Sequence, residues 1–228
     1  ALVESLSAAF EAAQKREDFR VILLRGRGDD FCAGADLSEL EKVTREGPVA
    51  SLADAKRLGG LLLQMRRHPK PIVAAVQGRA LAGGCGLATA CDLVLASEAS
   101  EFGYPEVHLG FVPAMVMAIL RKRLTEGKAL EMVALGERYS ASQALEMGLA
   151  NRVFPADTFH EEVMAFAEAL AARPSEALRL TKSLLYEQAD LSVEAGIDRG
   201  AEVNVQARQT KACQAGVAAF LSRRKRDA

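Results

Sequence analysis

Three short stretches of this chain carry residue types that could do chemistry together. Ala33-Gly34-Ala35-Asp36 and Ala82-Gly83-Gly84-Cys85 each place small residues where a strand gives way to a helix, and free amides at a helix start form a site for negative charge. If the two loops converge, the amides of Ala35 and Gly83 point at one oxygen, the arrangement that holds a thioester carbonyl while charge builds on it. The same Gly-Ala clusters serve close packing of a helix on its neighbours, and residue type alone leaves both readings open. The third stretch is the turn Gly103-Tyr104-Pro105-Glu106, flanked by Phe102, Val107 and Leu109. A carboxylate among apolar neighbours has its charged form disfavoured, which lifts its pKa toward the range useful for proton transfer. The commoner fate of a lone glutamate is an exposed turn.

Other chemistries find less support. His68, His108 and His160 have no metal-ligand spacing, so no metal site is expected, and each reads as a surface or capping histidine. G-x-x-x-x-G-K-[ST] and G-x-S-x-G are absent. Gly84-Cys85-Gly86-Leu87-Ala88 opens like a dinucleotide fingerprint, but Thr89 stands where its third glycine belongs. Cys85 beside the glycine loop is a weak candidate nucleophile, because no histidine has a motif-fixed position to activate it.

The elements that must position these residues alternate. Phe19 to Arg25 reads as a buried strand, FCAGADL as a loop, Ala53 to Arg67 as a helix stopped by His68-Pro69-Lys70-Pro71, and Pro71 to Gly78 as a second strand. A short helix over Ala82 to Cys91 and a strand over Asp92 to Ser97 follow. Helices are expected from Pro113 to Leu124, Ala129 to Leu135 and Ala141 to Met147, with Gly148 as C-cap and Ala150 to Phe154 as the last strand. Beyond Pro155 everything reads as helix, about four of them, which sets an expected boundary between an α/β core (1–155) and a helical oligomerisation region (156–228).

Composition fits such a protein. The 228 residues carry 29 Lys+Arg against 30 Asp+Glu, a net charge of −1 that argues against a nucleic-acid partner. Four cysteines without a C-x-x-C pair, three in Ala/Gly-rich surroundings, point to reduced thiols and a cytoplasmic location. Apolar runs end before the roughly 18 residues a membrane span needs, so no membrane partner is expected. Leu2, Leu6, Phe10 and Ala13 already follow helical spacing, which leaves no signal peptide and leads us to expect an N-terminal segment before Ala1.

FCAGADL, AAVQGRALAGGCGLATACDLVLAS, FGYPEVHLGFVPA and ERYSASQALEMGLANRVFP follow one another in the order and spacing of a known set of signature blocks. Over nearly its whole length the chain resembles the crotonase superfamily, the enoyl-CoA hydratase/isomerase family. The resemblance implies a spiral of ββα units with a C-terminal helical trimerisation region, trimers or dimers of trimers, an acyl-CoA thioester substrate, and no cofactor beyond the substrate's own coenzyme A. It implies a strand pair ahead of the opening helix. It casts Ala35 and Gly83 as the oxyanion-hole amides, Glu106 as an acid/base, and Ala33, Ala35, Asp36, Leu37 and Gly83 as the segments along the bound thioester. Phe220 and Arg223 resemble a family pair near the coenzyme A of a bound or neighbouring subunit, although Arg223 to Arg226 also reads as a solvated basic tail.

Two departures stand out. The family's hydratases place a glutamate three residues after the oxyanion glycine, and here that position is Gly86. One remaining carboxylate suffices for a proton shuttle from C2 to C4, so double-bond isomerisation is the leading expectation. Hydration with help from a group such as His108 or Tyr104 is the alternative, and a non-catalytic acyl-CoA- or RNA-binding homologue is a third. The second departure is GFVPAMVMAIL, where Met115, Val116, Met117 and Ile119 replace a glycine-rich run and are expected to thicken an apolar wall or to join the core.

Overall fold

The computed structural model describes residues 1–34 and 36–224, and Ala35 and residues 225–228 lie outside the described residues. The chain opens with α1 (Leu2–Lys15), β1 (Ile22–Arg25), α2 (Leu37–Arg45) and α3 (Pro48–Arg67). Next come β2 (Ile72–Val76), β3 (Arg79–Leu81), α4 (Gly83–Ala90), β4 (Leu93–Ser97) and β5 (Glu101–Gly103). A 3₁₀ turn (Pro105–Leu109) leads to α5 (Ala114–Arg123), α6 (Glu126–Leu135), β6 (Tyr139–Ser140), α7 (Ala141–Met147) and β7 (Arg152–Phe154). Four helices close the described chain: α8 (Phe159–Ala171), α9 (Ser175–Gln188), α10 (Val193–Arg208) and α11 (Lys211–Arg224).

The run Ile-Val-Ala-Ala-Val becomes β2 because all five residues can be buried, as a strand covered on both faces requires. It sits inside a fully parallel sheet of order β1-β2-β4-β7. Alternation splits its side chains: Ile72, Ala74 and Val76 join the main core, while Val73 and Ala75 join Leu95 and Val163 of α8 in a second one. At Gly78 (φ +53°) a side chain would lie 2.1 Å from the Asp29 carbonyl oxygen. That glycine lets the chain leave the large sheet and enter a small one, β3-β5-β6. β2-β3-α4 and β4-β5 with the 3₁₀ turn thus each contribute a strand to the large sheet, then a strand to the small sheet, then a helical segment, while the chain after β1 meets β3 through a single bridge at Cys32.

Several expected boundaries differ from the observed ones. The segment after Gly34 is not loop alone: Asp36 accepts a hydrogen bond from the Ser38 amide (2.9 Å) and starts α2. The next helix begins at Pro48 rather than Ala53, because Gly47 (φ +100°) turns the chain and proline suits the first helical position. The expected strand from Pro71 to Gly78 ends at Val76, and the one from Phe19 begins at Ile22, where pairing with Ile72 starts. His68 is also deeper than a surface histidine: it caps α3 and is buried, its Nδ1 accepting from the Lys70 amide (3.1 Å).

The helical region is tied to the core by charge. Asp92, between α4 and β4, accepts from Lys182 Nζ (2.8 Å), from the Tyr186 hydroxyl and from the Ile72 amide (2.6 Å). Arg123 donates to the carbonyls of Ala88, Thr89 and Asp92 and so caps the C-terminal end of α4. Among the described residues no helix is long and apolar enough to cross a membrane.

Candidate active site

The two glycine loops do converge. The segment Phe31–Cys32 runs along β3: Phe31 and Cys32 donate to the carbonyls of Gln77 and Arg79, and Leu81 donates back to Cys32 (3.0 Å). Arg79 clamps this segment through Asp30, whose carboxyl it holds down to about 2. A side chain on Gly34 (φ +111°) would stand 3.0 Å from Ala82 Cβ, and one on Gly84 would stand 2.0 Å from the Cys32 carbonyl oxygen. Close approach is therefore the local reason for Gly84, and it brings the Gly34 turn against the start of α4.

Ala82 occupies φ +49°, ψ −125°, the only positive φ outside glycine among the described residues. Such strain is kept where the surrounding structure over-determines it. Here the Ala82 amide is pinned to the Gly103 carbonyl (2.9 Å), and the strained residue turns the chain into α4. Gly83 is the first residue of that helix, so its amide has no carbonyl of the helix behind it. Ala35, the expected second oxyanion donor, lies outside the described residues.

Gly83 opens onto a cavity of about 430 Å³. Ala33 and Leu37 line one side; Leu40, Leu58, Leu62, Met115 and Val116 line the interior; Leu109, Phe111 and Val112 stand at the exposed edge. Of the four residues expected to thicken the wall, Met115 and Val116 do so, while Met117 and Ile119 pack against the core. Asp36 is exposed and spends its carboxylate as the α2 cap. Phe220 and Arg223 sit exposed on α11 and do not line the cavity in this chain.

Glu106 enters the cavity from the 3₁₀ turn. Gly110 (φ +69°) ends that turn, and the amides of Gly110 and Phe111 hold the Glu106 carbonyl. The carboxylate is half-buried, its Oε2 has no hydrogen-bond partner among the described residues, and burial pushes its pKa up. It is the one carboxylate among the described residues that line the cavity. Gly86 lines the same space, and a β-carbon there would make ordinary contact with Val116 at 3.6 Å. His108 is the cavity's other titratable side chain, with Nε2 donating to the Gly136 carbonyl (3.1 Å).

Two candidates are removed. The Tyr104 hydroxyl is fully buried against Thr89 Oγ1 (2.7 Å), so it cannot hold a water in the cavity. Cys85 is fully buried, and burial pushes its thiol up to about 12, leaving no thiolate nucleophile. No group of three or more His, Cys, Asp or Glu that could hold a metal ion occurs among the described residues.

A model of the family described as enoyl-CoA hydratase/isomerase matches residues 1–227. The chain belongs to the enoyl-CoA hydratase/isomerase family. Family members with solved structures share its fold: human enoyl coenzyme A hydratase domain-containing protein 3 superposes with a TM-score of 0.89 at 29% identity, over 97% of this chain and 87% of that one. An enoyl-CoA hydratase from Polaromonas gives 0.92 at 30% identity, over 97% and 86%. In sequence, a Thermus thermophilus protein provisionally named an enoyl-CoA hydratase is 39% identical over 220 residues, 96% of this chain and 87% of that protein. The 2,3-dehydroadipyl-CoA hydratase of Escherichia coli is 33% identical over 228 residues, 100% of this chain and 88% of the relative. Membership of this family therefore stands on the family model and on the relatives together.

Proposed function

We propose that this member of the family isomerises enoyl-CoA thioesters, moving a double bond from the 3,4 to the 2,3 position. The observation that carries the reading is the single carboxylate: Glu106 faces the cavity and position 86 has no side chain. The thioester carbonyl accepts from the Gly83 amide, with the Ala35 amide as the second donor that the family pattern implies. Glu106 takes a proton from C2, and the electron pair moves through C1 onto the carbonyl oxygen, where the amides stabilise the dienolate. Return of that proton at C4 shifts the double bond into conjugation and restores the carboxylate. Apolar walls of leucine, methionine and valine keep water from the intermediate. No cofactor beyond the substrate's own coenzyme A enters this scheme.

A second reading, hydration of a 2-enoyl-CoA, is favoured by His108. With Nε2 donating to Gly136, its Nδ1 is left to accept from a water. The hydratase names of the relatives also support it. Either reaction fits assembly as a trimer or a pair of trimers in a reducing compartment. The exposed apolar residues Ile197 and Val205 of α10 and Phe220 of α11 support self-association, with Phe220 and Arg223 reaching toward the thioester of a neighbouring copy.

Replacing Glu106 tests the common core of both readings. Glu106→Gln is expected to lower turnover by at least about 10²-fold, the lower end of acid/base contributions, while acyl-CoA binding measured by calorimetry stays within a few-fold. Turnover unchanged in this variant removes Glu106 from the mechanism.

A further inference from the structure

We infer that the buried hydroxyl pair Thr89–Tyr104 is a positioning device that sets the Glu106 carboxylate against the Gly83 amide. The inference rests on the reading of those two groups as acid/base and oxyanion donor. They ride on different elements: Gly83 begins α4, whereas Glu106 lies in the 3₁₀ turn that follows β5. Tyr104 joins the two. Its ring is fully buried and its hydroxyl meets Thr89 Oγ1 of α4 at 2.7 Å. The Cys85 thiol, one helical turn before Thr89, lies beside the same hydroxyl. The hydroxyl thus docks on the α4 face formed by positions 85 and 89.

Only Pro105 separates Tyr104 from Glu106. Its ring restricts φ, so a shift of the tyrosine carries into the carboxylate. The backbone bond from Ala82 to Gly103 ties the same two segments at the oxyanion end. Apolar packing alone tolerates a small slide of the turn over the helix. A directional hydrogen bond in a water-free site does not. Misplacement of a reacting group by 1 Å costs on the order of 10²-fold in rate.

The test compares Tyr104→Phe, Thr89→Val, Thr89→Ser and the Tyr104→Phe/Thr89→Val double variant of the full chain, assayed on a 3-enoyl-CoA beside Glu106→Gln. Phenylalanine and valine keep the shapes of the residues they replace, and serine keeps the hydroxyl. A positioning role predicts that kcat falls about 10- to 100-fold in Tyr104→Phe and Thr89→Val, with KM within about twofold. It also predicts that Thr89→Ser retains most of kcat and that the double variant is no worse than the poorer single one. Loss of thermal stability with kcat unchanged, serine as poor as valine, or losses that multiply in the double variant would each overturn it. No turnover by the unsubstituted protein, or full turnover by Glu106→Gln, overturns the reading of the site and the role of the pair with it.

Discussion

At Glu106, folding and the proposed proton transfer pull in opposite directions. Burial raises the carboxyl pKa, so the folded state holds this proton more tightly than the unfolded chain does. Stability from that preference is present below the ordinary carboxylate pKa and is lost as pH rises through the raised one. At neutral pH the ionised side chain is therefore a cost to the fold. Glu106→Gln should melt at a higher temperature than the unsubstituted protein at neutral pH, and the gap should narrow as pH falls toward the ordinary carboxylate range. The proposed proton transfer needs the ionised form, so the acid limb of kcat/KM, which reports the free enzyme, should lie above the usual glutamate pKa of 4.5. A pH–rate profile and melts at two pH values check both signs. Leu109, a sequence neighbour of Glu106, lines the cavity with it, whereas Phe102 and Val107 do not; the rest of its apolar company, Leu58, Leu62 and Val116 among them, comes from elements the sequence does not place beside it. The meaning of Gly86 was legible only through the resemblance, since a glycine announces nothing by itself. The Thr89–Tyr104 pair was not legible: its members lie 15 positions apart on different elements, and neither type marks a partner.

The element that decides the site is α4, and its glycines are not equivalent. A methyl group on Gly84 would lie 2.0 Å from the Cys32 carbonyl oxygen, which is backbone and cannot step aside. On Gly86 the nearest atom is a Val116 side-chain carbon at 3.6 Å. Gly84→Ala should therefore destabilise by about 1–3 kcal/mol, as overpacking does, and should lower kcat by moving the Gly83 amide. Gly86→Ala should fold as well as the parent or better, because alanine favours the helix. Chemical denaturation of the two variants side by side measures the contrast. The sequence showed that small residues had to sit here. Which glycine serves contact and which serves space depends on what lies across the gap. α2 carries a helical signal of its own, since Leu37, Leu40 and Val43 recur three residues apart behind the Asp36 cap, and Leu37 and Leu40 line the cavity.

For the whole molecule, the helical region and the α/β core meet through buried charge. Lys182 and Asp92 stand 90 positions apart, with side chains 7% and 12% exposed, and Lys182 also donates to the Met65 carbonyl (3.1 Å). Burial lowers the Lys182 pKa, and the neighbouring Asp92 opposes that shift. Lys182→Met removes one partner and leaves the carboxylate buried, a loss expected at about 3–5 kcal/mol. Urea denaturation at fixed protein concentration tests this, since self-association would otherwise enter the result. The helical tail itself was plain in the sequence from its Ala, Glu and Leu spacing. Its ionic tie was not, because it pairs residues that only the fold brings together.

In the proposed reaction one carboxylate, with no side chain at position 86, shuttles a proton rather than adding water. The direct measurement incubates the protein separately with a 3-enoyl-CoA and a trans-2-enoyl-CoA, following mass and the absorbance of the conjugated thioester. The 3-enoyl substrate is expected to gain conjugation at constant mass. Addition of water to the 2-enoyl substrate, with no conversion of the 3-enoyl one, would contradict it.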